Sequence, residues 1–233
     1  MRFRPQIAII LFLALACLLI FVHLSLSEYC SDDAYIHFRI SHNFASLGVP
    51  YFNPDENVMT SSSPVWTVLL ALLFGLCGVH PVIISILNAS LSAAALFIAV
   101  SITEDFSSNR MDRRIIQILT ACLVLPSLLY PSLTLMETPL AICLLLAGQF
   151  LAMRRHPAGY TLLAAAACVR IELTVFLCFR FLFDISENRA RSVEIVPAVL
   201  LLALCAGYNL HYFGQIFPHT ASAKKVVYSL YPS

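Results

Sequence analysis

The chain has 233 residues, of which 60% are hydrophobic and only 12% charged, with a mean hydropathy of +0.84. A water-soluble domain carries about 45–50% apolar and about 25% charged residues, so this chain lacks the charge to solvate its own surface and its solvent is lipid. A net charge of +1 and the lack of any Lys/Arg patch exclude a nucleic-acid footprint, while 7 Gly and a dominant apolar fraction exclude disorder and fibres.

Met1, Arg2, Phe3 and Arg4 precede an apolar run over 7–22, which reads as an uncleaved membrane helix. The basic start puts the N-terminus in the cytoplasm. Residues 28–63 are the longest polar stretch. The apolar segment from Pro64 to Gly78 follows, too short for an upright crossing that needs about 20 residues, and reads as re-entrant or interfacial. Further helices are expected at 81–102, 115–131, 139–153, 158–169, 173–184 and 194–213, giving about seven crossings.

Basic residues decide the sidedness. If Pro64–Gly78 dips without crossing, Arg2, Arg4, Arg110, Arg113, Arg114, Arg154, Arg155, Arg189 and Arg191 are cytoplasmic. Those are nine of the fourteen basic residues, against Arg39, Arg170, Lys224 and Lys225 outside. A full crossing would move the seven downstream arginines outward, against the positive-inside tendency. With this topology Asp32, Asp33, Glu137, Arg170, Glu172, His219, Lys224 and Lys225 fall in outer loops or at outer helix ends. A transporter concentrates polar groups near the bilayer midplane, so this distribution suits a site on the extracytoplasmic face.

Asp32 and Asp33 open a helix, where neighbours point about 100° apart. One carboxylate can serve as general base while the other binds a cation or a sugar hydroxyl. The plainer alternative is a solvated acidic helix start capped by Ser31. Glu137 likewise suits a helix N-terminus, and Arg170 and Glu172 suit mutual pairing. His219 reads as a loop histidine. Trp66, Tyr51 and Tyr29 read as interface aromatics, with sugar stacking the alternative for Trp66. Asn88-Ala89-Ser90 matches a glycosylation sequon inside a helix and is expected to be inert. The eight cysteines, mostly in apolar runs without CxxC spacing, read as small hydrophobes.

Four stretches in order carry a resemblance. Residues 32–66 read DDAYIHFRISHNFASLGVPYFNPDENVMTSSSPVW; Met136-Glu137-Thr138-Pro139-Leu140, Arg170-Ile171-Glu172 and Phe217-Pro218-His219-Thr220 with Ala223-Lys224 follow. Together they resemble the GT-C membrane glycosyltransferases, nearest the bacterial polyprenyl-phosphate-sugar-using arabinofuranosyltransferase-like and mannosyltransferase-like groups. Those relatives carry DDAYI, FNPGE, TSPLWTLLLA, METPL, RPEG and PNTFYAK in corresponding places. The chain departs at Asp55, where Gly is usual, at Met59-Thr60, where Glu-Gly is common, and at Arg170-Ile171-Glu172, which lacks Pro and Gly.

The resemblance implies an all-α, polytopic GT-C-like helix bundle as a single transmembrane domain over 1–233. Residues 28–80 would be the first outer loop, with juxtamembrane helices. It implies a multi-pass protein of the bacterial inner membrane that moves a sugar from a polyprenyl-phosphate-sugar to a glycan, lipid or protein acceptor, with inversion. Asp32 is then the expected base and Asp33 its neighbour. Arg39, Asn43, Glu137, Arg170, Glu172, His219 and Lys224 are the expected substrate-binding residues. A divalent cation (Mg, Mn or Ca) at Asp32 and Asp33 is a further expectation, since some relatives use one. GT-C enzymes generally have ten or more membrane helices, so the chain corresponds to an N-terminal half, and a partner subunit supplying the remaining helices is one expectation. The alternatives are a non-catalytic or truncated relative, and a multi-pass transport or scaffold component.

Overall fold

A computed structural model describes residues 17–18, 20–22, 25, 31–103, 109–188 and 191–216. Among them every regular element is helical. The helices are α1 (Asp32–Leu47), α2 (Pro64–Cys77), α3 (Pro81–Ile102), α4 (Arg110–Leu133), α5 (Thr138–Met153), α6 (Ala158–Val169), α7 (Thr174–Ser186) and α8 (Ser192–Phe213). A 3-10 turn at Ile171–Leu173 precedes α7. The expected first crossing at 7–22 lies almost wholly outside the described residues.

Among the described residues, three helices are long and apolar enough to cross a membrane: Pro81–Ile102, Met111–Leu133 and Ser192–Phe213. The apolar helices α2, α5 and α6 are shorter. At 1.5 Å per residue, the 14-residue α2 is about 21 Å long, against a hydrocarbon core of about 30 Å. Pro64 starts it at a position where the missing N–H costs nothing, and Gly78, with φ of 78°, ends it.

The side chains identify the solvent. On α7 the large apolar side chains Val175, Phe176, Phe179, Leu182, Phe183 and Ile185 are exposed, whereas Arg180 and Asp184 are turned inward. On α4, Ile115, Ile118, Leu119 and Leu123 are all exposed. Helices that bury charge and display large apolar side chains have hydrocarbon for their surroundings. The protein is a membrane protein.

The chain divides into two compact units, one of residues 1–31 and 81–162, the other of 32–80 and 163–233, with the division falling inside α6. In the first unit α3 packs against both α4 and α5. Its buried face carries Ser85, Ala89, Ser92, Ala93, Ala95 and Ala99, small side chains that let neighbouring helix backbones approach. Ile20 and Leu129 pack on Ala89 and Ala93, and Leu128 fills the space beside Ala95 and Leu96. Asn109 caps α4 by accepting from the Met111 N–H at 3.1 Å. The turn between α5 and α6 is tight: a Cβ on Gly159 would sit 2.7 Å from the Ala152 nitrogen, so only glycine fits.

In the second unit α1 packs along α2, and α2 touches α8. Phe38 meets Phe74 edge to face at 6.0 Å. Trp66 is fully buried in this interface. The expectation of a membrane-belt or sugar-stacking Trp66 is therefore corrected: its position at the first turn of a short apolar helix turns it into the α1–α2 core.

Candidate active site

Asp32 and Asp33 occupy the first turn of α1, and both are exposed. The helix dipole favours carboxylates there. Farther along the same helix Ala34, His37, Phe38, Ile40 and Ser41 are buried and fix α1. The acidic pair thus stands on a helix whose orientation is set by packing rather than by a free loop.

Arg39 and Asn43, one turn apart on α1, fasten the loop that follows. Asn43 Nδ2 donates to the carbonyl oxygens of Tyr51 at 2.8 Å and Phe52 at 3.1 Å. Arg39 Nε donates to the Phe52 carbonyl at 3.0 Å, and its Nη2 to Asn53 Oδ1 at 3.3 Å. The Arg39 guanidinium also lies 4.4 Å from the centre of the Phe52 ring. Asn53 in turn donates to Glu56 Oε2 at 3.0 Å. Both residues, expected to bind substrate, hold the Phe52-Asn53-Pro54 loop. Asn43→Ala removes two hydrogen bonds, leaving the Phe52 carbonyl to Arg39 alone, and, at about 0.5–1.5 kcal/mol per hydrogen bond, is expected to cost about 1–3 kcal/mol. Thermal unfolding in detergent checks this, and an unshifted midpoint would assign the loop's anchorage elsewhere.

A buried polar cluster underlies the same loop. Ser61 Oγ lies 3.3 Å from His37 Nδ1 and 3.1 Å from Thr67 Oγ1, and accepts from the Ser63 N–H at 3.2 Å. Farther along, the Tyr51 hydroxyl donates to the Tyr212 carbonyl at 2.8 Å, and Phe44 meets Tyr212 edge to face at 5.5 Å. Tyr51, expected as a belt aromatic, therefore ties the loop to the end of α8.

Arg170 and Glu172 pair with each other, Nε to Oε1 at 2.7 Å, as their charges require. The pair is 37% and 57% exposed, so it lies at a polar boundary rather than in a dry interior. Burial raises the Glu172 carboxyl, but its backbone hydrogen bond and the Arg170 guanidinium outweigh this and leave its pKa below the ordinary value. Two other ion pairs were not foreseen. Arg180 grips Asp184 one turn along α7, Nε to Oδ2 and Nη2 to Oδ1, each at 2.8 Å, with both side chains largely buried. Arg191 binds Glu194 through Nε at 2.6 Å and also through Nη2.

Glu137 belongs to the first unit. It is 5% exposed and stands at the N-cap of α5, as its place before Thr138-Pro139 suggests. The turn that presents it is strained: Leu135, buried, takes a φ of 59°, a left-handed conformation uncommon for a branched side chain. Asn88 Nδ2 braces that turn by donating to the Met136 carbonyl at 3.1 Å. The sequon asparagine is thus a fully buried brace. His219 and Lys224 lie outside the described residues.

Among the described residues no group of three or more His, Cys, Asp or Glu side chains is arranged to hold a metal ion. Two exposed carboxylates on adjacent positions do not by themselves complete the six or more oxygen ligands of a hard cation. The expected cation at Asp32 and Asp33 is therefore not built by these residues, and no chemical step is assigned to one. No family model, curated protein or solved structure matches the chain.

Proposed function

We propose that the chain is a GT-C-type membrane glycosyltransferase that moves a sugar from a polyprenyl-phosphate-sugar to a glycan, lipid or protein acceptor. The proposed topology has about seven crossings in the bacterial inner membrane, a cytoplasmic N-terminus and the site on the extracytoplasmic face. The observation that carries the reading is the exposed Asp32–Asp33 pair at the start of a helix held by its buried residues. A general base must come within about 2.6–3.2 Å of the acceptor hydroxyl, and an exposed carboxylate on a packed helix supports that role.

In this reading the acceptor hydroxyl oxygen attacks the anomeric carbon while the bond from that carbon to the phosphate oxygen breaks. The hydroxyl proton passes to Asp32, and polyprenyl phosphate leaves from the opposite side, inverting the centre. Asp33 binds a sugar hydroxyl. Positive charge from Arg170, Lys224 or Arg39 stabilises the leaving phosphate. Glu172 and His219 add to the polar lining. A partner subunit supplies further helices if the chain acts as half of a larger assembly.

Transfer of radiolabelled sugar from polyprenyl-phosphate donors by membranes containing the protein is the direct test, and absence of transfer with every donor sugar would reject the reading. Its topology is checked separately. Cysteines placed at Asp55 and Arg113 should differ: membrane-impermeant maleimide labels the first in intact cells and not the second. Equal labelling would overturn the sidedness.

A second reading, a transport component, is favoured by one observation, the buried Arg180–Asp184 pair on the otherwise apolar α7. Solute uptake into vesicles that needs the pair, without sugar transfer, would select it.

A further inference from the structure

We propose that the second unit binds one water molecule between α8 and the start of α2, where it links Tyr208 and Asn209 to Thr67. A cavity of about 10 Å³ lies there, lined by Ser61, Thr67, Tyr208 and Asn209 among apolar residues that include Ile40 and Phe213. Roughly 10–15 Å³ is the least space that holds a single water, so nothing larger fits. Such a water also needs about two to four polar partners.

Two lining residues supply them. The Tyr208 hydroxyl and Asn209 Oδ1 are both buried, and neither has a hydrogen-bond partner in the protein. Asn209 as a whole is only 8% exposed. Turning its amide over would not help, because Nδ2 donates to the Ile216 carbonyl at 2.9 Å and a carbonyl only accepts. The Tyr208 ring is held by Phe44, Tyr212 and Phe213, with ring centres 6.0, 5.0 and 6.2 Å away. A buried donor and a buried acceptor left unpaired are both costly, and a water that accepts from Tyr208 and donates to Asn209 removes both costs.

The second proton of the water has its acceptor in Thr67 Oγ1. That hydroxyl lies 3.1 Å from Ser61 Oγ, and whichever of the two donates, Thr67 keeps a lone pair. The water then has three partners, the usual number for a buried one. It completes a polar chain from His37 on α1 through Ser61 and Thr67 to α8. A cation is the poorer occupant. Among the described residues the polar lining is neutral, so an ion would lose its hydration without meeting a counter-charge. Hard cations also take six or more oxygens.

Tyr208→Phe in the full chain, with thermal unfolding followed in detergent, tests the site by the sign of its effect. A hydroxyl bonded to the water is worth about one hydrogen bond, so the midpoint should fall by about 2–4 °C in a chain of this size. In a dry cavity the same variant would delete an unsatisfied buried polar atom. The midpoint would then rise or stay unchanged, and the proposal would be overturned. Thr67→Val takes away another partner of the same water, so the double variant should lose less than the two single variants together; additive losses would reject a shared water. A high-resolution crystal structure of the wild type is the second measurement, and it depends on no variant. It should show a density peak about 2.7–3.0 Å from Tyr208 Oη, Asn209 Oδ1 and Thr67 Oγ1. No peak, or contacts of about 2.3–2.6 Å as for a metal cation, would overturn the water. Neither readout involves sugar transfer, so both are independent of the catalytic reading.

Discussion

Asp32→Asn is expected to lower sugar transfer by about 10²–10⁴-fold, the usual worth of a general base, with membrane insertion unchanged. The amide keeps the carboxylate's shape but has almost no basicity, so the loss reports proton transfer and not packing. Asp32 is exposed on the first turn of α1, where its replacement disturbs no buried contact. Removing a charge from a helix N-terminus costs only about 0.3–1 kcal/mol. Folding and catalysis are therefore separable at this position. Asp33→Asn should also reduce transfer, with more of its effect in donor affinity than in turnover. The comparison is made with polyprenyl-phosphate-sugar donors and normalised to the protein present in the membrane. Wild-type transfer by the Asp32 variant would remove it as the base and leave Asp33 to be tested in the same role.

The helices were readable from the sequence wherever hydropathy and chain breakers agree. Pro64 and Gly78 bound α2, Pro81 opens α3, and Arg154, Arg155 and Pro157 separate α5 from α6, so all these elements lie within a residue or two of expectation. Hydropathy alone missed the first turn of α4. The apolar run starts at Ile115, but Asn109 caps a polar turn through Asp112 and Arg113, and capping chemistry carries no hydrophobic signal. The 3-10 turn at Ile171–Leu173 falls mostly in the gap between the expected helices at 158–169 and 173–184, and it carries no hydropathy signal of its own.

Side-chain roles were less legible. Asn43 and Arg39 stand out as donors spaced one turn apart, yet their acceptors are mainly backbone carbonyls at Tyr51 and Phe52, which no residue type announces. Trp66 looks like an interface aromatic because its neighbours are polar on one side and apolar on the other. Its burial follows from which face of α2 meets α1, a tertiary fact. One signal was in plain view. Arg180 and Asp184 are separated by four positions, the spacing at which opposite charges meet on a helix, and their pairing could have been read directly.

That pair carries the largest expected effect on stability. Arg180 makes two 2.8 Å hydrogen bonds to Asp184, and the side chains retain 15% and 5% exposure on a helix whose other face is apolar and exposed. Removing one member of a buried pair leaves a charge without its main counter-ion and costs about 3–5 kcal/mol, whereas replacing both with apolar groups of similar volume is often neutral. Arg180→Met alone, or Asp184→Leu alone, should therefore lower the unfolding midpoint in detergent strongly, and the double variant should recover most of the loss. Additive losses in the double variant would show instead that each residue depends on separate partners. The same variants separate the two functional readings. A transferase with its chemistry at Asp32 should keep its turnover in the double variant once folding is restored, because the pair then serves only to let α7 carry its charges in an apolar setting. A transport component that moves ions or polar solutes past α7 should lose its activity in the double variant even though it is folded. Stability recovered with transfer intact is the expected result.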